Sequence, residues 1–327
     1  MFSIIGIIKA AILNGTPLLF GTSGEILTQK SGNMNLGVEG LMFMGGAFGL
    51  AGSFVYSNIA GESANGIVAI IISLVCAFIA GFIGSLIFSF LTVTLKANQN
   101  VTGLALTIFG TGVGQFVGEI MRIKIGGNVT IPNSLKSAFV SPVMPEFLRK
   151  IPVLGDLFFS YNIFVYLGVV MVILMAYFLN KTRKGLNLRA VGESPSTADA
   201  AGISVTRYRY LATCIGGGIS AIGVMVYIMT ISGCVWNYSA LSGEGWIAVA
   251  LVIFCFWKPV NSLWGSVLFG ALLILYLKLP IAFIPTQIYK IVPYIATIVV
   301  LIFVSMKQKK ENQPPAGLGV NYFREDR

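Results

Sequence analysis

Long apolar runs broken by short polar segments make up most of the chain. A spanning helix needs about 20 apolar residues, fewer where it is broken or buried in a bundle. On that measure residues 11–28, 38–57, 66–95, 100–120, 158–180, 210–232, 244–257, 260–279 and 286–306 read as spans, about nine in all. Residues 1–9 are too short to span and read as an interfacial segment. Gly15-Thr16-Pro17 and Gly24-Glu25 loosen the first span, and glycines crowd the second and fourth. A polar, proline-containing stretch runs from Arg122 to Gly155, and 181–209 is the main soluble loop. The tail, 307–327, holds Pro314-Pro315 and mixed charge and reads as disordered. The fold class expected is an all-α polytopic membrane protein, with residues 1–306 as one integral domain.

Composition agrees. The 327 residues are 56 % hydrophobic and 10 % charged, with mean hydropathy +0.84, whereas soluble domains carry about 25 % charge. No Arg-rich leader with a small-residue cleavage site is visible, so no removable signal peptide is expected. The net charge of +10 does not imply a nucleic-acid partner, because Lys and Arg in membrane proteins collect in cytoplasmic loops. Lys181, Arg183, Lys184, Arg189, Arg207 and Arg209 mark 181–209 as cytoplasmic, and Lys307, Lys309 and Lys310 do the same for the C-terminus. Counting back puts the N-terminus outside. Cys76, Cys214, Cys234 and Cys255 lie in or beside apolar runs without metal-ligand spacing and read as packing residues. Histidine is absent, which weighs against zinc hydrolases and Ser-His-Asp enzymes.

The stretch 32–46, GNMNLGVEGLMFMGG, combines Asn33, Asn35, Glu39 and five glycines. An acid at membrane depth costs roughly 2.5–3.5 kcal/mol, which makes Glu39 a functional candidate; the alternative is a helix cap at the membrane surface. Gly37-Val38-Glu39-Gly40 has a counterpart in Ser242-Gly243-Glu244-Gly245-Trp246. Each motif opens the second span of a four-span half, 11–120 or 210–306, with 158–180 as the linking span, and the halves run in opposite directions. Inverted repeats with glycine-broken segments in matching positions point to a transporter's binding site. The alternative is a chance match in a glycine-rich chain.

Within 181–209, Ser194 suits an N-cap, Pro195 the first helical turn and Gly202 the C′ position, around Ala198, Ala200 and Ala201. This is a short cytoplasmic helix with small side chains, fit to enter a groove on a partner.

Three stretches carry a family resemblance: Gly24-Glu25-Ile26-Leu27 through Gly40; Gly185-Leu186 through Leu188-Arg189-Ala190-Val191-Gly192-Glu193-Ser194-Pro195 to Gly202-Ile203; and Ser242 through Trp246 with Pro259 and Phe269-Gly270. Together they resemble the permeases of bacterial ATP-binding-cassette importers for branched-chain amino acids, ribose and nucleosides, nearest the nucleoside and simple-sugar branch. Gln29-Lys30 and Asn33 depart from the family's pattern. The resemblance implies a multi-pass protein of the bacterial inner membrane that pairs with a second permease subunit, of a different chain. It also implies a separate ATPase and an extracytoplasmic or lipoprotein binding protein. Residues 194–202 then match the family's coupling helix, with Arg189, Glu193, Ser194, Pro195, Ala198, Ala200, Ala201 and Gly202 as the coupling set.

No Gly-Lys pair occurs in the chain, so no G-x-x-x-x-G-K-[ST] phosphate loop is present; this chain would bind no cofactor, ATP being hydrolysed by a partner. Asn33, Asn35, Glu39, Glu244 and Trp246 are the candidate substrate-path residues, since carboxylates and amides can pair a nucleoside's hydroxyls and ring edges and an indole can stack on its base. A sugar or branched-chain amino acid permease of the same family, or a secondary transporter, remains the alternative. A membrane enzyme would need a clustered nucleophile, base or metal site, which is not visible.

Overall fold

In the computed structural model, residues 4–127, 129–237, 243–275, 291–299, 302 and 313–324 are described. The first apolar run forms one helix, α1 (Ile4–Gln29), with Pro17 inside it. Residues 4–9 therefore belong to the first spanning helix and are not a separate interfacial segment. No proline or glycine pair breaks the run before Gly15, and Asn14 Nδ2 and Thr16 Oγ1 donate back to the Ala10 and Ile12 carbonyls, at 2.9 and 2.8 Å, around the proline.

Helix α2 spans Val38–Ala60. Helix α3 (Gly66–Ser89) continues as a π turn over Phe90–Thr94. Asn98 caps α4 (Gln99–Ile125) by accepting from the Asn100 and Val101 amides, and Gly126 closes it in the left-handed region. The 122–155 stretch is less irregular than its polarity suggests, because it holds α5 (Asn133–Val140) and α6 (Glu146–Arg149). Helix α7 spans Ile163–Lys181. The loop expected at 181–209 is instead mostly helical, with α8 (Arg183–Glu193) ahead of α9 (Pro195–Ala200). Thr182 caps α8, its Oγ1 accepting from Gly185 N at 3.0 Å. Then come α10 (Val205–Thr230), α11 (Glu244–Phe254) and α12 (Pro259–Leu273), and residues 291–299 are helical.

Among the described residues six helices are long and apolar enough to cross a membrane, with α11 and α12 as shorter apolar helices. Ser242, the last four residues of the expected span at 260–279 and about half of that at 286–306 lie outside the described residues. Helices α2 and α10 are the most enclosed of the long helices, and α3 is the least. Ile67, Ile71, Val75, Ile79 and Ile83 recur every four residues on the exposed face of α3, a stripe suited to lipid.

Helices α1 and α10 cross at the centre of the bundle. A Cβ on Gly216 would fall 2.5 Å from the Gly24 carbonyl oxygen, and a Cβ on Gly24 would collide with the Gly216 carbonyl. Ser220 Oγ donates to Gly21 O at 3.0 Å across the same crossing. Small residues are what allow two membrane helices to approach this closely.

The pairing of the remaining helices is reciprocal. Helix α1 packs against α11 and α12, while α10 packs against α2 and α3.

Candidate translocation site

The polar stretch 30–37 breaks what would otherwise be one long helix. Lys30 N, Ser31 N and Gly32 N bond back to Ile26, Thr28 and Gln29 carbonyls, and Gly32 then turns away at φ +89°. Asn35 Oδ1 accepts from Gly37 N at 2.8 Å, an Asx turn that starts α2. Both asparagines are buried. Asn33 Nδ2 donates to Thr213 Oγ1 on α10 at 2.8 Å, while its Oδ1 has no partner among the described residues.

Glu39 lies in the first turn of α2 and reaches the start of α11. Its Oε1 accepts from Gly243 N and its Oε2 from Gly245 N, both at 2.6 Å, and the Trp246 amide also faces it. The first amides of a helix have no partner inside the helix and carry partial positive charge, so a carboxylate there satisfies both needs. Gly243 holds φ +100°, which turns the chain into α11. A Cβ on Gly245 would land on the backbone of Glu39. The two sequence motifs therefore meet, N-terminus to N-terminus, with Glu39 between them.

The five candidate path residues do not converge equally. Glu244 is buried beside this contact and its Oε2 lacks a hydrogen-bond partner among the described residues. The Trp246 side chain is 37 % exposed, so only its amide joins Glu39. The unspent acceptors are Asn33 Oδ1 and Glu244 Oε2, each able to accept from a hydroxyl or N–H of a solute.

A second polar link between the halves was not singled out from the sequence. Gln29 Nε2 donates to Glu25 Oε1 at 2.9 Å, and Trp257 Nε1 donates to Gln29 Oε1 at 2.6 Å. The spacing of Glu25 and Gln29, one helical turn apart in an apolar run, was the available signal; nothing local marked Trp257. Trp257 follows α11 with φ +53°, a strained value for a bulky residue.

On the α8–α9 side, α9 starts at Pro195 and ends before Gly202, which takes φ +81°. Ser194 makes no capping bond to an amide; its hydroxyl pairs with Thr197 Oγ1 at 2.8 Å. Ala198 is buried between Val191 and Val205, whereas Ala200, Ala201 and Gly202 are exposed. Arg189 Nε is buried without a partner among the described residues. Glu193 Oε2 accepts from Ala316 N at 3.2 Å. Burial pushes the Lys30 amine below the usual lysine range, and the Glu193 carboxylate opposes that shift.

Among the described residues no three His, Cys, Asp or Glu side chains are grouped to hold a metal ion.

Residues 7–301 match the family model described as "Branched-chain amino acid transport system / permease component". The putative glucose ABC transporter permease protein TsgC13 of Haloferax volcanii is 31 % identical over 98 % of this chain and 98 % of its own. The nucleoside ABC transporter permease protein NupC of Lactococcus lactis is 31 % identical over 97 % of this chain and 96 % of its own. The guanosine ABC transporter permease protein NupQ of Bacillus subtilis is 32 % identical over 90 % of each. With its multi-pass apolar helices and its two buried motifs meeting at Glu39, the chain belongs to the branched-chain amino acid transport system permease family, the permease subunits of ATP-binding-cassette importers.

Proposed function

We propose that this permease carries nucleosides across a bacterial cell membrane. The observation that carries the reading is the full-length similarity to two permeases named for nucleosides and guanosine. The unspent acceptors on Asn33 and Glu244 suit a neutral solute rich in hydroxyl and N–H donors. A path should hold such a solute weakly, and neutral hydrogen bonds do so better than charge pairs. Of the candidate path residues, Asn33 and Glu244 contact the solute. Asn35 and Glu39 hold the broken helices around it, and Trp246 contributes its amide to that frame. A glucose permease is the second reading, favoured by the similarity to the haloarchaeal relative. Uptake of labelled guanosine by the reconstituted importer, challenged with excess unlabelled nucleosides or glucose, tests the choice. Competition by nucleosides alone is expected; competition by glucose alone would overturn it.

The architecture proposed is two inverted halves, 11–120 and 210–306, in about nine spans with the C-terminus cytoplasmic. The reciprocal packing of α1 with α11 and α12, and of α10 with α2 and α3, supports it. So does the head-to-head meeting of α2 and α11. The partners proposed are an ATPase, which hydrolyses the ATP, a second permease chain and an extracytoplasmic binding protein.

Helix α9 is the ATPase docking element in this reading, with Ala200, Ala201 and Gly202 presented outward. Ala200→Arg or Ala201→Asp adds bulk and charge there without touching the buried Ala198. Each is expected to reduce co-purification of the ATPase about tenfold or more, since a misplaced charge in a packed contact costs several kcal/mol. Permease yield and thermal stability should stay unchanged. Full retention of the ATPase by both variants would remove α9 from the interface.

A further inference from the structure

Residues 313–324 lie in a tail expected to be disordered, yet they are laid across one end of the bundle and bonded along their length. A turn forms at Pro315–Leu318, with Leu318 N donating to Pro315 O at 3.0 Å. Gly317 N donates to Gly192 O, at the end of α8, at 2.9 Å, and Gly319 N donates to Gly32 O at 3.0 Å. Val320 O accepts from Arg209 Nη1 at 3.0 Å. Asn321 Nδ2 donates to the Lys96 and Ala97 carbonyls at 2.7 and 3.2 Å. Tyr322 OH donates to Asp199 Oδ2 of α9 at 2.7 Å, and Arg324 Nε lies 3.3 Å from the same oxygen.

We propose that this C-terminal segment is a transmission strap that carries movement of α9 to the polar break between α1 and α2. The proposal rests on the reading of α9 as the ATPase docking element. Helix α9 has six residues, too few to hold its place by its own hydrogen bonds. One end of the strap grips it at Asp199. Arg324 is largely exposed and its pair with Asp199 is the longer contact, so the Tyr322 hydrogen bond to that carboxylate is the stronger tie. The other end leads to the break by two routes. One is the backbone bond to Gly32. The other runs through Gln99, whose Nε2 donates to Asn321 Oδ1 at 3.2 Å and whose Oε1 accepts from Met34 N at 2.7 Å, between the two buried asparagines.

The strap also roofs a buried cation. Arg209 is 2 % exposed, and apart from Val320 O its guanidinium is poorly met, Nε and Nη2 having no partner among the described residues. A guanidinium in that position favours whatever segment brings it a carbonyl, which gives the strap a fixed seat rather than a loose association.

Hydrogen exchange of the assembled importer in nanodiscs, with and without ATP and vanadate, tests the strap without knowledge of the solute. In the wild type, trapping should change exchange at α9 and at residues 31–37 together. Tyr322→Phe removes the hydroxyl that grips Asp199, and Asn321→Ala removes the side chain that seats the strap on Lys96, Ala97 and Gln99. In both, the change at α9 should persist while that at 31–37 falls, about tenfold for Tyr322→Phe, the factor of one lost charge-assisted hydrogen bond, and several-fold for Asn321→Ala, whose bonds are neutral. An undiminished change at 31–37 in both variants would overturn the strap while leaving α9 as the docking element. No response of α9 in the wild type would overturn the docking reading and the strap with it. Guanosine uptake failing in a wild-type complex that shows the expected exchange would instead fault the nucleoside assignment alone.

Discussion

Glu39→Ala is expected to destabilise the permease itself, not merely to slow transport. The carboxylate accepts from the Gly243 and Gly245 amides at the start of α11, where a helix's first amides have no acceptor within the helix. Hydrogen bonds to a charged group contribute about 1.5–3 kcal/mol each, so losing both should cost on the order of 3–6 kcal/mol. Thermal unfolding in detergent measures this directly. Glu39→Gln should fall between, because its one carbonyl oxygen can serve one amide while its NH2 is set against another donor. Uptake should follow the same order, Glu39 above Gln above Ala, with the alanine variant down at least about tenfold. If both variants unfold like the wild type while uptake is lost, Glu39 is a solute contact and not the joint between α2 and α11.

The second large effect is expected from a single methyl group at the α1–α10 crossing. In Gly24→Ala the new Cβ would collide with the Gly216 carbonyl and lie 2.6 Å from Ser220 N, both backbone groups that cannot swing aside. Relief requires the two central helices to separate. Overpacking of this kind costs about 1–3 kcal/mol, and here it also disturbs the Ser220–Gly21 bond. Gly112→Ala, inside α4, is the control, since nothing lies within 4 Å of its Cβ position; it should not destabilise and gains up to about 1 kcal/mol from helix propensity. Equal behaviour of the two variants in unfolding and uptake would mean that the crossing tolerates a wider separation.

The six long apolar helices were legible because hydropathy at this scale reports a physical requirement: a helix in lipid must be apolar over its length. The bounds of α2, α3 and α4 were recovered at their starts within a residue or so, each fixed by a local Gly or Asn signal. Residues 4–9 read as too short to span by themselves because Lys9 interrupts the apolar run, yet α1 runs through it as one helix from Ile4. Helix α8 was missed because its polar, basic sequence has no apolar stripe long enough to announce a helix; Thr182 and the packing of Leu188 and Val191 hold it.

In the candidate site, the sequence singled out Glu39 and its counterpart motif, and the structure sets the Glu39 carboxylate against that motif's backbone amides. Which of the motif's atoms would be spent on that joint was not legible, because it depends on a contact between residues about 200 positions apart. The C-terminal segment illustrates the same limit more strongly. Its prolines and glycines carry no periodicity, and its order comes from single hydrogen bonds to α8, α9, α10 and the turns at Gly32 and Lys96.

The most direct test is solute accumulation by proteoliposomes containing this permease, its partner permease and the ATPase, with the binding protein added outside. Uptake should require both ATP and the binding protein, persist when ion gradients are collapsed, and disappear with Ala200→Arg. Uptake that proceeds without ATP and follows a sodium or proton gradient would contradict the account and make the chain a secondary transporter.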